Sequence, residues 1–392
     1  MNNKNHTIYI IDALRTPIGK LYGALSHIRP DDLASLVING LANKNTINKE
    51  KIDGIILGCA NQAGEDNRNI ARMASLLSKL PYTTTATTIN SLCSSGMEAI
   101  LSAIKSIALG DGDLYLAGGV ESMSRSPLIT SKIDQTTVDS LIGWRFINPQ
   151  IHEVCPPLSM AETAELLANN YSISRATQDA YAHQSRQRYQ VALEKKLWQA
   201  EILPIEDQKK KLWLSDEQHR LLSLDLLTKL PKLVANGSYI SAGNAARIGD
   251  GAALVALASE RYIKAHNIKP IAKVKSWASA SCHPDEMSLS AVVATEKALN
   301  KVALQTQDLD WVEISESFAV QTLACIKALQ LDPEKVNPNG GALTIGNPIS
   351  VSSARLVVSL AKEMERNQTI KNGLATTCAG LGTGAALILE SI

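Results

Sequence analysis

Two hydrophobic periods alternate along the first third of this chain. Runs of adjacent apolar residues at 8–11, 55–58 and 114–117 read as buried strands, and a threonine-rich run ends just before Cys93. Between them, apolar residues recur at helical spacing. One such stretch covers 30–41, with Asp31 and Asp32 in the first turn, where the helix dipole favours carboxylates. A second covers 67–77. The third follows Cys93, with Ala99, Ile100, Leu101, Ala103, Ile104, Ile107 and Ala108 at helical spacing. Strands alternating with helices in this way predict an α/β fold with a largely parallel sheet.

From about residue 121 the pattern breaks. Residues 122–240 are polar, irregular and helix-poor in places, and are punctuated by Pro127, Pro149, Pro156, Pro157, Pro204 and Pro231. This reads as a long insertion over the main fold. Regular structure returns at Ser241-Ala242-Gly243-Asn244, with a strand over 252–257. The first pattern then recurs. Gly251-Ala252-Ala253-Leu254-Val255-Ala256-Leu257 has a counterpart in Gly384-Ala385-Ala386-Leu387-Ile388-Leu389, and Ser94-Ser95-Gly96 has one in Ser352-Ser353-Ala354. The separation of these landmarks is similar in both halves and far longer than a solenoid period. Two similar α/β halves are therefore expected, with the insertion hanging from the first.

Composition narrows the function. The 392 residues carry a formal net charge of +1, with 45% hydrophobic and 20% charged residues. Nothing there favours nucleic acid or a membrane surface. Six scattered cysteines, with no metal-ligand spacing, suit free thiols in a reducing cytoplasm. Residues 1–6 are polar and lack the apolar core of a signal sequence. Among the cysteines, Cys93 stands out because a strand leads into it and a helix leaves it. A helix N-terminus favours negative charge, so the Cys93 thiolate is expected to be stabilised there. Gly96 is expected to admit a close backbone neighbour.

The motifs Asp12-Ala13-Leu14-Arg15-Thr16-Pro17-Ile18-Gly19, Asn90-Ser91-Leu92-Cys93-Ser94-Ser95-Gly96, Ala117-Gly118-Gly119-Val120-Glu121-Ser122-Met123-Ser124, Asn339-Gly340-Gly341-Ala342 and Cys378-Ala379-Gly380-Leu381-Gly382 stand in this order along the chain. Together they resemble the thiolase family from end to end. In the first half, Gly58-Cys59-Ala60-Asn61-Gln62-Ala63-Gly64-Glu65-Asp66-Asn67-Arg68-Asn69, 142–149 and 159–165 resemble the 3-oxoadipyl-CoA thiolases in particular. The resemblance implies an α/β thiolase fold of five layers (αβαβα). Its first domain would be 1–120 with 242–270, its CoA-binding loop domain 121–241, and its second domain 271–392. It also implies acyl transfer between 3-oxoacyl-CoA and free CoA, with CoA as a substrate rather than a cofactor, no metal, and a homodimer or homotetramer in the cytoplasm. Cys93 matches the acyl-accepting nucleophile and Cys378 the acid/base. The backbone N–H groups of Cys93 and Gly380 match an oxyanion hole. Arg220 matches the residue stacked on adenine. Met160 and Met287 match positions that line the pantetheine channel, and Ala246 and Phe318 match further substrate-binding positions.

The resemblance breaks around one pocket. The family's Gly-His-Pro is Gly346-Asn347-Pro348 here, and its Asn-Glu-Ala-Phe is Ser315-Glu316-Ser317-Phe318. The glycine-rich turn that follows has become Ile349-Ser350-Val351-Ser352-Ser353. Gly243-Asn244-Ala245-Ala246-Arg247 loses a serine and gains a cation, and Met287-Ser288-Leu289-Ser290-Ala291 replaces Met-Gly-x-Gly-Pro. An amide cannot accept a proton near neutral pH. Three readings follow, in this order. The first is a working thiolase with a rearranged site, with His283 and His152 as candidate substitutes for the missing histidine. The second is a Cys93-dependent acyltransferase or thioesterase, and the third is a silent CoA-binding thiolase-like protein.

Overall fold

The computed structural model describes residues 7–392; the polar stretch 1–6 lies outside them. The first half contributes strands β1 (Ile8–Arg15), β2 (Gly54–Gly58), β3 (Thr85–Ile89), β4 (Leu114–Ser122) and β5 (Gly249–Ser259). The second contributes β6 (Ala272–Ser281), β7 (Trp311–Ile314), β8 (Asn372–Ala379) and β9 (Thr383–Glu390). The helices that matter here are α1 (Pro30–Ala42), α2 (Ile70–Leu77), α3 (Ser95–Leu109), α4 (Met160–Asn170), α5 (Arg175–Glu194), α6 (Ser290–Asn300), α7 (Ala319–Leu329) and α8 (Ile349–Arg366).

The strands pair in the order β7-β8-β9-β6-β1-β5-β4-β2-β3. Each half repeats one topology. β4 lies parallel to β2 and antiparallel to β5, and β8 lies parallel to β7 and antiparallel to β9. The halves meet where Tyr9 pairs with Lys273 and Ile10 with Ala272. Both first strands carry a bulge at a matching place, between Ile10 and Asp12 in β1 and between Val274 and Ser276 in β6. The sheet is not largely parallel, as the βαβ pattern predicted. β9 follows β8 through a tight turn, and β5 returns beside β4 after the long insertion, so both run back against their neighbours and most pairings are antiparallel.

Three apolar clusters separate five layers. One joins α1 and α2 to the first sheet half through Leu33, Val37, Ile38, Ile70 and Leu254. Another joins α6 and α7 to the second half through Ala294, Leu299, Cys325, Leu374 and Ile388. The largest surrounds α3 and α8, which form the central layer between the two sheet halves, with Met97, Ile100, Ile104, Val351, Val357 and Leu360 among its members. Residues 350–364 of α8 are all buried. The segment Leu92–Leu109 is apolar enough over 18 residues to pass for a membrane span, and it contains the central helix α3. Its place in the core accounts for its composition, with 56% of the segment buried.

Close approach at the start of these helices depends on glycine. A Cβ on Gly96 would lie 2.3 Å from the Ser350 carbonyl oxygen, and one on Gly119 would lie 2.5 Å from it. The first turn of α8 therefore rests on backbone from both α3 and β4. The Ser353 hydroxyl accepts from the Met97 N–H at 3.1 Å, which locks the two helix starts together.

Two other expectations need correction. Helix α2 begins at Ile70 rather than residue 67, because Asn67 and Arg68 take left-handed φ values of 52° and 64° and Asn69 caps the helix. The insertion is less irregular than its composition suggested. It contains α4, with a full capping box from Ser159 and Glu162, and the 20-residue α5, capped by Ser174. Helix α5 is rich in polar residues but buries one side, including Gln178, Asp179, Tyr181, Arg186 and Tyr189.

Candidate active site

Cys93 lies in a tight turn, Leu92–Ser94, that leads directly into α3. Leu92 takes a left-handed φ of 51°. For a non-glycine residue this conformation costs about 1–3 kcal/mol, and such strain concentrates at functional sites. The turn is held by the Ser95 hydroxyl, which accepts from the Ser91 N–H at 2.8 Å and donates to the Leu92 carbonyl at 2.6 Å. The Ser94 hydroxyl donates to the Ser91 carbonyl at 2.8 Å. Backbone N–H groups of Gly380 and of Cys93 itself point at the sulfur.

Those two donors and the helix start do not make Cys93 acidic. Burial, and next the charge of Glu121, push its pKa up to about 11, against the lowering expected from the helix N-terminus. Desolvation outweighs the dipole here although Cys93 keeps part of its surface exposed.

Glu121 is the penultimate residue of the fully buried strand β4, and sequence reasoning gave it no role beyond its motif. Its carboxylate accepts from the N–H groups of Ala60 at 3.1 Å, Asn61 at 3.0 Å and Ser350 at 3.3 Å. The Ser350 hydroxyl donates to it at 2.7 Å. Burial raises its pKa, while these donors oppose the rise. The signal in the sequence was an acid closing an apolar strand, since a buried carboxylate needs such partners.

Cys378 is the penultimate residue of β8 and is buried, as is Gly380 just past the strand's end. Burial, the thiol of Cys325 and the charge on Cys93 all raise the Cys378 pKa. The two candidate cysteines thus lie near enough for the charge of one to act on the other. The Ser315 hydroxyl lies 4.0 Å from the Cys378 sulfur, with either atom able to donate. Leu381, inside the Gly380–Gly382 turn, takes a left-handed φ of 61°. Both cysteine-bearing corners therefore hold a leucine in the same unusual conformation.

Asn347 precedes α8, and its amide is engaged at both ends. Its Oδ1 accepts from the Ser352 hydroxyl at 2.5 Å, and its Nδ2 donates to the Ser317 hydroxyl at 3.3 Å. Its backbone N–H donates to the Arg247 carbonyl at 2.7 Å. Nothing in the sequence singled out Ser317 and Ser352 as its holders.

The remaining candidates divide. Met160 and Met287 line a cavity of about 230 Å³, together with Trp144, Leu158 and Leu381. Phe318 is instead buried in an apolar cluster with Leu167, Ile240 and Ala245. Ala246 binds through its backbone, its N–H donating to the Ser317 carbonyl at 2.9 Å. Arg220 is exposed at the end of a segment whose earlier residues are anchored. Asp216 pairs with buried Arg15 at 2.6 Å, and Glu217 accepts from the Lys20 and Ala24 N–H groups at 2.9 Å each. Gln218 donates to the Ile248 carbonyl at 2.9 Å. The guanidinium of Arg247 donates to the Gln218 carbonyl, and partial burial and Arg220 lower its pKa. His283 and His152 are exposed, and the His283 Nδ1 accepts from the Asp285 N–H at 3.4 Å. Among the described residues neither makes a hydrogen bond to Cys93, Cys378 or Asn347.

Comparison with known proteins now bears on this geometry. Residues 8–261 match the thiolase N-terminal domain, and residues 268–391 match the thiolase C-terminal domain. The chain belongs to the thiolase family. It is 42% identical to a beta-ketoadipyl-CoA thiolase of Pseudomonas aeruginosa over 98% of this chain and 99% of that protein. It is equally identical, with the same coverage, to a 3-oxoadipyl-CoA/3-oxo-5,6-dehydrosuberyl-CoA thiolase of Escherichia coli. Among solved structures, human mitochondrial 3-ketoacyl-CoA thiolase in complex with CoA superposes with a TM-score of 0.92 at 34% identity, covering 99% of this chain and 98% of that one. An acetyl-CoA acetyltransferase of Bacillus anthracis gives 0.91 at 35% identity, covering 100% of both chains. This thiolase is accordingly an acyltransferase by class.

Proposed function

We propose that this thiolase transfers an acyl group between CoA and Cys93, with Cys378 moving the proton at the carbon α to the thioester. The observation that carries this is the convergence of Cys93, Cys378 and the Gly380 N–H on one site. In the cleavage direction the Cys93 thiolate attacks the 3-oxo carbon of a 3-oxoacyl-CoA. The oxyanion that forms is held by the N–H groups of Cys93 and Gly380, each worth about 3 kcal/mol in such a hole. The C2–C3 bond breaks, and its electron pair passes to C2 as the enolate of acetyl-CoA. Cys378 then gives its thiol proton to C2. A raised pKa suits that step, because it keeps the donor protonated until a carbanion forms. Free CoA attacks the acyl-enzyme next, its proton going to the Cys378 thiolate, and Cys93 leaves as thiolate.

Two features slow this cycle. At pH 7 a thiol of pKa about 11 is ionised in only about one molecule in ten thousand. Asn347 offers no base to increase that fraction. The amide's engagement with Ser317 and Ser352 supports a second reading, in which Cys93 is acylated by acyl-CoA but carbon–carbon chemistry is weak and the acyl group passes to another thiol or to water. The substrate class favoured is a short 3-oxoacyl-CoA of the kind the beta-ketoadipyl-CoA relatives are named for.

The proposal extends to domains and assembly. Residues 1–120 with 242–270, and 271–392, are taken as the two thiolase domains, and 121–241 as the loop domain that holds CoA beside Arg220. The cytoplasm is the proposed compartment, supported by six cysteines that are all free. A homodimer or homotetramer is proposed because β3, the edge strand leading into Cys93, is largely uncovered. Intact-mass spectrometry after incubation with acetyl-CoA and acetoacetyl-CoA tests the catalytic reading. An acyl adduct lost in Cys93→Ala supports acyl transfer, and thiolysis of acetoacetyl-CoA separates the thiolase reading from the thioesterase one. Absence of any adduct refutes both.

A further inference from the structure

A chain of buried charges runs from the segment proposed to hold CoA into the second half of the molecule. Asp216 opens that segment, and Arg15 holds it with two hydrogen bonds, Nη1 to Oδ1 at 2.6 Å and Nη2 to Oδ2 at 3.0 Å. The same guanidinium donates through Nε to Glu201 Oε1. That oxygen also accepts from the Ser359 hydroxyl at 3.3 Å, and Ser359 accepts from Arg355 Nη1 at 3.3 Å. Glu313 stands at the far end, its Oε2 3.6 Å from Arg355 Nη1. All six residues are buried. The two ends are held unequally. Asp216 also accepts from the Ile18 N–H at 2.7 Å and the Tyr189 hydroxyl at 2.9 Å. Burial works against its charge, but Arg15 outweighs burial and its pKa is lowered. The Glu313 carboxylate accepts one hydrogen bond, from Trp311 Nε1 at 2.9 Å, and burial pushes its pKa up to about 7. Arg355 acts against that rise, while Glu201 and Glu316 add to it. Residues 373–376 of β8, paired alongside, carry no titratable group.

Three carboxylates in this chain face two guanidiniums, so one carboxylate lacks a full counter-charge. When Glu313 is protonated, the next carboxylate along the chain is Glu201, whose Oε1 already serves Arg15. Nε and Nη2 of Arg355 have no hydrogen-bond partner among the described residues, which leaves donors for a new one. We infer that Glu313 and Arg355 are positioning residues for Asp216–Arg220, acting through Ser359, Glu201 and Arg15 on the affinity for CoA. The inference rests on the thiolase reading and deepens it, by tying CoA binding to a group in the other half of the molecule. Ionised Glu313 retains Arg355 and leaves Glu201 to Arg15. Protonated Glu313 releases Arg355 to compete for Glu201, and Arg15 then holds Asp216 less firmly. Affinity for CoA is therefore higher above pH 7 than below it.

Calorimetric titration with CoA at about pH 6 and pH 8 tests this, each variant being read against wild type at the same pH so that protonation of CoA itself cancels. Glu313→Gln fixes the uncharged form. At the higher pH it should weaken CoA binding by about fivefold, the lower end of typical coupling between sites, and at the lower pH it should change little. Adding Arg355→Met removes the competitor for Glu201, so the double variant should regain wild-type affinity. A purely structural role predicts the reverse, a double variant that binds no better than the single one. No weakening at the higher pH, equal weakening at both, or a double variant without recovery overturns the inference. If wild-type protein binds no CoA at either pH, the thiolase reading fails separately, and hydrogen exchange of the 216–220 amides decides. Faster exchange in Glu313→Gln at the higher pH, cancelled by Arg355→Met, supports the inference, and equal exchange overturns it.

Discussion

The two central helices occupy matching places in the two halves, yet their N-terminal ends are built differently. The turn before α3 presents Cys93 to the pocket and surrounds it with backbone donors. The segment before α8 presents Asn347, whose amide is turned to Ser317 and Ser352. One end takes its donors from backbone, which side-chain substitution leaves in place, and presents one reactive side chain, Cys93. The other depends on a single side chain at 347 and another at 315, and both differ from the family pattern. On the proposed mechanism, acylation needs only Cys93 and backbone donors, whereas the carbon–carbon step also draws on positions 347 and 315. Had both ends been built from side chains, the same number of substitutions could have erased the acyl-enzyme as well.

The largest effect that would break this contrast is at Cys93. Cys93→Ala is expected to eliminate the acyl adduct and to reduce any acyl-CoA turnover by about 10⁴-fold or more, as loss of a nucleophile does in a coupled site. Residual turnover at the wild-type rate would show that the start of α3 is not the acylation centre. Cys378→Ala should separate the two ends. Thiolysis of acetoacetyl-CoA should fall by about 10²–10⁴-fold, the usual worth of a positioned acid/base, while the adduct from acetyl-CoA still forms. Equal loss of both would mean that the two steps cannot be separated.

Much of this was legible before any coordinates. The repeated Gly-Ala-Ala-Leu segments anticipated β5 and β9, and Gly96 anticipated the Ser350 carbonyl that packs against it. The direction of β5 was not legible, because the residues that bring it back to β4 lie in the long insertion, where no local period records a strand's partner. Helix α5 was missed for a related reason. Its buried side includes Gln178, Asp179 and Arg186, which pair inside the fold and look like surface in the sequence. Cys93 shows the same limit in energetic form. A helix start is visible as a pattern, but the enclosure that outweighs it, and the charge of Glu121 across the pocket, arise only when distant segments meet.

A substitution at the start of α8 sharpens the contrast from the other side. Asn347→His restores a proton acceptor and a ring donor where the amide now stands, with Ser352 and Ser317 as neighbours able to hold the ring. Thiolysis of acetoacetyl-CoA should rise by about 10²-fold, a modest share of what general base catalysis supplies. No gain would place the limiting change at Ser315, beside Cys378, rather than at 347.

The smallest expected effect concerns the ionisation of Cys93. Burial comes first among the causes of its raised pKa, and the charge of Glu121 second. A negative neighbour disfavours the thiolate, so Glu121 holds the midpoint higher than burial alone would place it. In wild-type protein, alkylation of Cys93 by iodoacetamide should rise about tenfold per pH unit up to pH 10. Its midpoint should lie near 11, with no earlier inflection of the kind an imidazole partner would add. Glu121→Gln removes the charge and keeps one oxygen, which can accept from the Ala60 or the Asn61 N–H but not both, since these use different carboxylate oxygens. Its curve should move to lower pH, raising the rate at pH 8 by about tenfold if the midpoint falls by one unit. The rate on the high-pH plateau should stay the same, because the fully ionised sulfur is equally nucleophilic and equally accessible in both proteins. A change in plateau would instead report a loosened Leu92–Ser94 turn. An unmoved curve would assign the whole shift to enclosure, leaving Glu121 with only the task of tying Ser350 and the start of α8 to the loop at Ala60.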